Sequence, residues 1–373
     1  MVDEYIKDYI PMQEKFEELA KVLKNIKKGE KILIIGDNDG DGIPGSAIFA
    51  KILKKLGFEY KKDFFTLFPE HAFRGTIKEN KEKQKELSQY NYLFLIDMSM
   101  YDYSFLPKTA FICVIDHHKV DANVNLLINP MYDNEMKTKP NCCSCALTYC
   151  LYRLMFGENQ LLQKIAFAAS MYDWFPIGSL PYLNISQQDP EYFVNGGYIN
   201  PTNYELVFIA YQLYDKDFGT QFVFDKLFYE TDNDLKSIVL LPQAFWDRLN
   251  AFNKKANKAL QHVFETINRH NDTIIIYLKE KDRPYKNALN IRVKAIYPGT
   301  HSFIFFENKK EKGYNISCRS QIVDLVKLID FLKTQCKTIF GGGHSVAAGF
   351  FVKKKEFEKC KQLIIDNIEK FKK

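Results

Sequence analysis

The sequence predicts an α/β protein: a parallel-sheet domain, a mostly helical connector and a smaller α/β domain. Three observations predict it. Short apolar runs recur in the first half of the chain: Lys31-Ile-Leu-Ile-Ile35, Tyr92-Leu-Phe-Leu-Ile96 and Phe111-Ile-Cys-Val-Ile115. Helical stretches alternate with them, as in a parallel sheet covered on both faces. From Asp272 the pattern turns strand-rich again, after a long helical stretch with no chemical motif. The boundaries fall at 1–180, 181–270 and 271–373. The chain has 373 residues, 46% of them hydrophobic and 15% aromatic, which excludes disordered and collagen-like classes.

The elements follow in order. Phe16, Leu19, Ala20, Leu23 and Ile26 have helical spacing within Gln13–Lys28, and Gly29 ends that helix. Lys31–Ile35 is a buried strand and Asp37–Gly42 a loop. Pro44 suits the first turn of the next helix, which runs to Gly57. The runs at Tyr92–Ile96 and Phe111–Ile115 are strands ending at Asp97 and Asp116. Ala146–Phe156 and Leu161–Tyr172 are buried helices, the second ending at Asp173. Asn203–Arg269 reads as mostly helix. Thr273–Leu278, Ala288–Val293, His301–Phe306, Tyr314–Cys318 and Ala347–Val352 are strand-like, with helices at Asp324–Leu332 and Glu356–Phe371.

Charge is nearly balanced. Lys plus Arg is 52 and Asp plus Glu is 46, a formal +6, which permits an anionic partner without requiring one. The charged amino terminus lacks the apolar core of a signal peptide, and no apolar run reaches the roughly 20 residues of a membrane span. The expectation is a cytoplasmic protein with no membrane association.

Chemistry-bearing residues gather at element ends. Gly36-Asp37-Asn38-Asp39-Gly40-Asp41-Gly42 places three carboxylates at alternate positions after a strand. In extended chain these share one side and can converge. A calcium loop of the EF-hand kind is the other reading, but its twelfth position would be the apolar Ile48. Asp97, then Asp116-His117-His118, end the next two apolar strands, and Asp173 ends a helix. In an open parallel sheet, ligands bind beyond the carboxyl ends of the strands. Mixed carboxylate and imidazole donors suit Mn²⁺ better than a thiolate-seeking ion, and so many carboxylates suggest two ions.

These motifs, in this order, resemble the four motifs of the DHH phosphoesterase superfamily. Ser317-Cys-Arg-Ser320 and Gly341-Gly-Gly-His-Ser-Val-Ala-Ala-Gly-Phe350 resemble its substrate-binding DHHA1 domain. The helix before the first strand resembles the entry to the core of RecJ-type single-strand exonucleases. The resemblance implies a DHH catalytic domain, a helical connector and a DHHA1 domain. It implies metal ligands at Asp37, Asp39, Asp41, Asp97, His117 and Asp173, with Asp97 bridging. It makes Asp116 a supporting residue and His118 the contact to the scissile phosphate and general acid. Arg319, Ser320, Gly341, Gly342, Gly343 and His344 would bind substrate. Arg74, in Pro69-Glu-His-Ala-Phe-Arg74-Gly75, matches a phosphate-contact segment only in part. The implied cofactor is two Mn²⁺, with Mg²⁺ as the alternative.

The implied function is 5′ to 3′ hydrolysis of single-stranded DNA or RNA by two-metal water activation. No segment resembling an OB-fold follows the glycine motif, which opens a second expectation: very short oligonucleotides, a nucleotide phosphate or a cyclic dinucleotide as substrate. A third expectation is a catalytically silent scaffold with replication or repair proteins as partners. The occupied acidic positions speak against it. Asn38 and Gly40 read as filler, Cys142–Cys145 as buried structural cysteines, and His262 and His270 as solvated.

Overall fold

The computed structural model describes residues 12–69, 85–98, 103, 106–118, 123–132, 142–173, 176–186, 192–194, 198–199, 220–229, 243–286, 289–290, 293, 300–320, 322–343 and 345–372. The chain divides into two compact units, 1–245 and 246–373.

In the first unit, helix α1 (Gln13–Asn25) lays Phe16, Leu19, Ala20 and Leu23 into the core. Strand β1 (Ile32–Gly36) is buried along its whole length. Helix α2 (Gly42–Lys55) follows, then β2 (Phe64–Leu67), β3 (Tyr92–Ile96), β4 (Phe111–Ile115) and β5 (Leu126–Ile128). These strands form one sheet in the order β2-β1-β3-β4-β5. Every pairing is parallel, with Ile32 opposite both Phe64 and Tyr92, and Tyr92 opposite Phe111. A parallel sheet aligns all strand carboxyl ends at one edge, so Gly36, Ile96 and Ile115 finish side by side. Helices α3 (Ser144–Phe156), α4 (Gln160–Tyr172) and α5 (Pro176–Leu183) follow. A short antiparallel pair, β6 (Phe193–Val194) and β7 (Tyr198–Ile199), precedes helix α6 (Thr220–Tyr229).

Helix α7 (Gln243–Thr266) leads into the second unit. Its sheet comprises β8 (Asn268–His270), β9 (Thr273–Leu278), β10 (His301–Asn308), β11 (Gly313–Arg319), β12 (Phe340–Gly343) and β13 (Ala347–Lys353). The order is β12-β13-β11-β10-β9-β8, antiparallel except for β9 with β10. Helices α8 (Leu325–Gln335) and α9 (Lys354–Asn367) cover one face, where Phe303, Phe305, Ile316, Phe350 and Val352 meet Leu328, Ile329, Phe357 and Ile364. The Asp324 carboxylate caps α8, accepting from the N–H groups of Val326 and Lys327, both at 3.1 Å.

Three expectations change. Of the strand expected over 288–293, the described residues Leu289, Asn290 and Val293 are helical. Leu289 and Val293, four apart, join the same core with Ile274, Ile276 and Ile304. That spacing is one helical turn, and the alternation of Ala-Leu-Asn-Ile-Arg-Val concealed it. Asn290, buried at this point, bridges Ser302 and Ser317. Asn268 and Arg269 are strand rather than helix. His262 is not simply solvated: its Nδ1 lies 3.4 Å from Asp282 Oδ2. Among the described residues no helix is long and apolar enough to cross a membrane.

Candidate metal and phosphoester site

The carboxyl edge of the first sheet gathers Asp37, Asp97, Asp116, His117 and His118 directly after β1, β3 and β4. Three groups of donor atoms form there, each with all its atoms within 4.8 Å of one another. One is Asp37, Asp39 and Asp97; a second is Asp41, His117 and Asp173; a third is Asp97, Asp116, His117 and His118. Asp97 lies in two of the groups. It is also held at φ 59°, in the left-handed region that side chains other than glycine rarely adopt. Its N–H still donates to Ile115 O at 2.9 Å, which ties this unusual backbone to the end of β4.

The loop after β1 corrects the extended-chain expectation. Asp37, Asp39 and Asp41 do not share one side of a strand. The chain turns, and Asp39 Oδ1 accepts from the N–H groups of Asp41 at 3.0 Å and Gly42 at 2.9 Å. Asp41 sits at the amino end of α2 in a helical conformation. It therefore faces α3, His117 and Asp173 rather than Asp37. The supposed filler residues also have work. A Cβ on Gly40 would lie 2.7 Å from the Tyr172 ring, so only glycine admits that packing. The side-chain oxygen of Asn38 accepts from the Thr220 hydroxyl at the start of α6, which ties that helix to the loop.

Helix α3 supplies a contribution the sequence reading missed. Both oxygens of Asp41 accept from its first turn, Oδ2 from Ser144 N at 2.7 Å and Oδ1 from Cys145 N at 2.8 Å. Ser144 Oγ donates to Asp97 Oδ1 at 3.0 Å. The free N–H groups and positive end of a helix hold an anion well. The signal was present in Cys143-Ser144-Cys145-Ala146, a small-residue start to an apolar helix. The cysteines drew attention away from it. All eight cysteines are free and buried, and among the described residues none joins a metal-compatible group. Burial pushes the Cys142, Cys143 and Cys145 thiols up, which keeps them protonated and inert.

The two histidines differ. His117 is buried, its Nε2 lying 3.0 Å from Asp173, 3.3 Å from Asp97 and 3.7 Å from Asp41. Burial alone would lower its pKa; the charges of Asp173 and Asp97 reverse that and hold it well above the ordinary value. The His118 side chain is 26% exposed against 4% for His117, so it is the more accessible ring. Its Nδ1 contacts Asp116 Oδ1 at 2.7 Å. The same oxygen accepts from the N–H groups of His117 at 2.7 Å and His118 at 2.8 Å. Burial would raise Asp116, but the two histidines hold it below the ordinary range. Asn129, beyond β5, donates to His118 O at 2.8 Å and fixes the turn.

The remaining carboxylates are under electrostatic load. Burial first, then Asp37, Asp173 and Asp41, pushes Asp39 up to about 8. Burial and Asp173 push Asp41 up to about 6 despite its bonds to α3. Burial, Asp41 and Asp39 hold Asp97 well above the ordinary range. Carboxylates packed this closely stay ionised together only beside a cation. Oxygen donors with one imidazole suit a hard or borderline divalent ion, so the cluster is compatible with a metal site.

In the second unit Arg319 ends β11, and Gly341–Gly343 lie in β12. Ser320 is buried, its Oγ 2.8 Å from His301 Nδ1 and accepting from Val323 N at 2.8 Å; it braces a turn. Arg74 and His344 lie outside the described residues.

Residues 31–172 match the family model described as DHH family, N-terminal domain. That range spans β1 to α4 and contains every donor named above except Asp173, the residue that follows it.

The particular relatives are solved structures. RecJ from Thermus thermophilus, in complex with Mn²⁺, superposes with a TM-score of 0.64 and 17% identity, covering 97% of this chain and 55% of that one. An exonuclease RecJ bound to manganese gives 0.60 and 16%, covering 96% of this chain and 95% of that one. A pGpG-specific phosphodiesterase from Vibrio cholerae gives 0.50 and 12%, covering 92% and 100%. At these identities the likeness is one of fold, and this chain spans 55% of the Thermus protein's length. No curated protein matches this chain in sequence.

Proposed function

We propose that this protein is a metal-dependent phosphodiesterase that hydrolyses single-stranded nucleic acid from the 5′ end, in the manner of RecJ. One observation carries the reading: eight acidic or imidazole side chains from four separate segments meet in three overlapping donor groups. Asp37, Asp39 and Asp97 would hold one Mn²⁺, and Asp41, His117 and Asp173 the other, with Asp97 shared and Mg²⁺ an alternative ion. A divalent pair lowers the pKa of water and neutralises charge on a phosphoryl group in in-line displacement.

The chain's own residues supply the rest. Asp41 and Asp97 are oriented by α3, and Asp39 by the amides of its own turn. His118 stands open to the substrate and can give a proton to the departing oxygen, while Asp116 holds its Nδ1 and so its orientation. Arg319 and His344, with the Gly341–Gly343 backbone, would take substrate phosphates or sugars. Arg74 and Ser320 belong to the same proposal, Ser320 by bracing the turn after Arg319.

The test is a length series of single strands, labelled at either end, from dinucleotide to about a 40-mer, as DNA and as RNA, with Mn²⁺ or Mg²⁺; the span exceeds common single-strand site sizes. Mononucleotide release from the 5′ end is the expected result. Hydrolysis confined to dinucleotides would favour the short-substrate reading, which the fold shared with a pGpG-specific enzyme makes worth including. A folded protein that hydrolyses nothing would leave the scaffold role, with replication or repair proteins as partners.

A further inference from the structure

Gly40 is buried, and its φ lies outside the left-handed region that calls for glycine. Its own backbone would accept another residue; a neighbour forbids one. A Cβ there would lie 2.7 Å from Tyr172 Cγ and 2.8 Å from both Cδ1 and Cδ2. Near-equal distances to three ring carbons put that point over the ring rather than beside it. Tyr172 therefore lays its face on the glycine. Carbon atoms pack at about 3.5–4.0 Å, so a methyl group at that point would push the ring away or shift the loop.

This contact stands between two of the donor groups. Asp39 and Asp41 flank Gly40, and Asp173 follows Tyr172. Asp39 belongs to the group with Asp37 and Asp97, while Asp41 and Asp173 belong to the group with His117. The turn thus carries one donor for each group, and the end of α4 carries a third. Tyr172 is the last residue of α4, and Asp173 is its carboxyl cap. Helix ends fray, and the carboxyl end is the negative pole, which repels a carboxylate. Asp173 is nonetheless held 3.0 Å from His117 Nε2. Upstream, Ile165, Ala166, Phe167 and Ala169 bury α4 in the core. The Tyr172 ring extends that anchorage to the last turn, and Gly40 is the surface it rests on.

We propose that Tyr172 is a positioning residue that sets the separation of the two donor groups. Its ring, seated on Gly40, fixes the Asp39–Asp41 turn against the end of α4, so that the two groups hold a pair of ions at bridging distance. The inference rests on the two-metal reading and deepens it: the spacing of the ions depends on a side chain that is not itself a ligand.

The experiment is Mn²⁺ titration of the whole chain without substrate, followed by calorimetry and electron paramagnetic resonance. Paired ions in two-metal sites lie about 3.5–4 Å apart, close enough to give an exchange-coupled spectrum rather than the hyperfine pattern of isolated ions. Wild type should give the coupled spectrum. Tyr172→Ala should bind its second ion roughly tenfold more weakly and show the isolated pattern. Tyr172→Phe keeps the ring and should restore the coupled spectrum. Gly40→Ala displaces the ring from the other side and should reproduce Tyr172→Ala; it carries the test alone if Tyr172→Ala does not fold. Adding Gly40→Ala to Tyr172→Ala should change little further, because no ring remains to be displaced. A coupled spectrum retained in Tyr172→Ala or Gly40→Ala, even with a lower melting temperature, would make the ring a packing group only and overturn the proposal. Loss of coupling in Tyr172→Phe would overturn it too, by moving the role to the hydroxyl. Wild type that binds no Mn²⁺, or binds it only as isolated ions, would sink the two-metal reading itself and this inference with it.

Discussion

Asp97 concentrates the argument at the scale of single residues. It combines a left-handed backbone, membership of two donor groups and a hydrogen bond from Ser144. Strain of this kind costs on the order of 1–3 kcal/mol and persists where the surroundings overdetermine it. Asp97→Asn keeps the shape and removes the charge. Mn²⁺ affinity, read by calorimetry, should fall by more than the roughly 10- to 100-fold typical of losing a supporting hydrogen bond at a metal site. Thr220→Val tests such a support. It removes the hydroxyl that reaches Asn38, whose own N–H donates to Asp37 Oδ1 at 2.8 Å. Expected is about a tenfold weaker Mn²⁺ affinity with unchanged far-ultraviolet dichroism, and recovery in Thr220→Ser. Unaltered affinity in Thr220→Val would remove α6 from the support of the site.

At the scale of elements, the contact of α2 with α3 sets the geometry. Gly45 lets the two helices approach: a Cβ there would lie 2.9 Å from Ile96 Cγ2 and 3.4 Å from Cys145 Cα. Gly45→Val should cost about 1–3 kcal/mol of stability by overpacking, seen as a lower denaturation midpoint. It should also move the α3 amides away from Asp41, so metal affinity should fall with stability. Ser144→Ala separates the two effects. It leaves the Ser144 and Cys145 amides on Asp41 and removes only the hydroxyl on Asp97. Binding should weaken by roughly tenfold with little change in midpoint. A midpoint shift without a change in binding would make that hydroxyl structural only.

For the whole molecule, the cluster couples stability to pH and metal. Folding raises Asp41 from 3.8 to about 6 and Asp39 from 3.8 to about 8. Both hold protons more tightly folded than unfolded, so their contribution is full below 3.8 and is lost as pH rises through those folded values. His117, held well above its ordinary value, acts in the same direction. Asp116 acts oppositely, its contribution fading only as pH falls below its ordinary 3.8. The chelated protein should therefore melt at a lower temperature at pH about 8 than at about 5, and Mn²⁺ should abolish most of that difference. A melting temperature independent of pH over this window, with chelator, would mean that the carboxylates are not jointly buried.

The sequence by itself determined the order of the first sheet's central strands and helices, because short apolar runs and helical spacing are local patterns. It also determined which residues are candidates, since Asp37, Asp97, Asp116–His118 and Asp173 each end an element. It did not show how they meet. Alternate spacing suggested that Asp37, Asp39 and Asp41 act as one set. Only the turn at Asp39 and the fold of α3 over Asp41 divide them between two groups. Thr220 on Asn38 spans 182 positions and Ser144 on Asp41 spans 103, and no local pattern encodes contacts across such separations. The helical turn through Leu289, Asn290 and Val293 was misread for the same reason: its period emerges only against the core it packs on. The exposure of Phe340 likewise belongs to the tertiary structure, because strand register decides which residues share a surface.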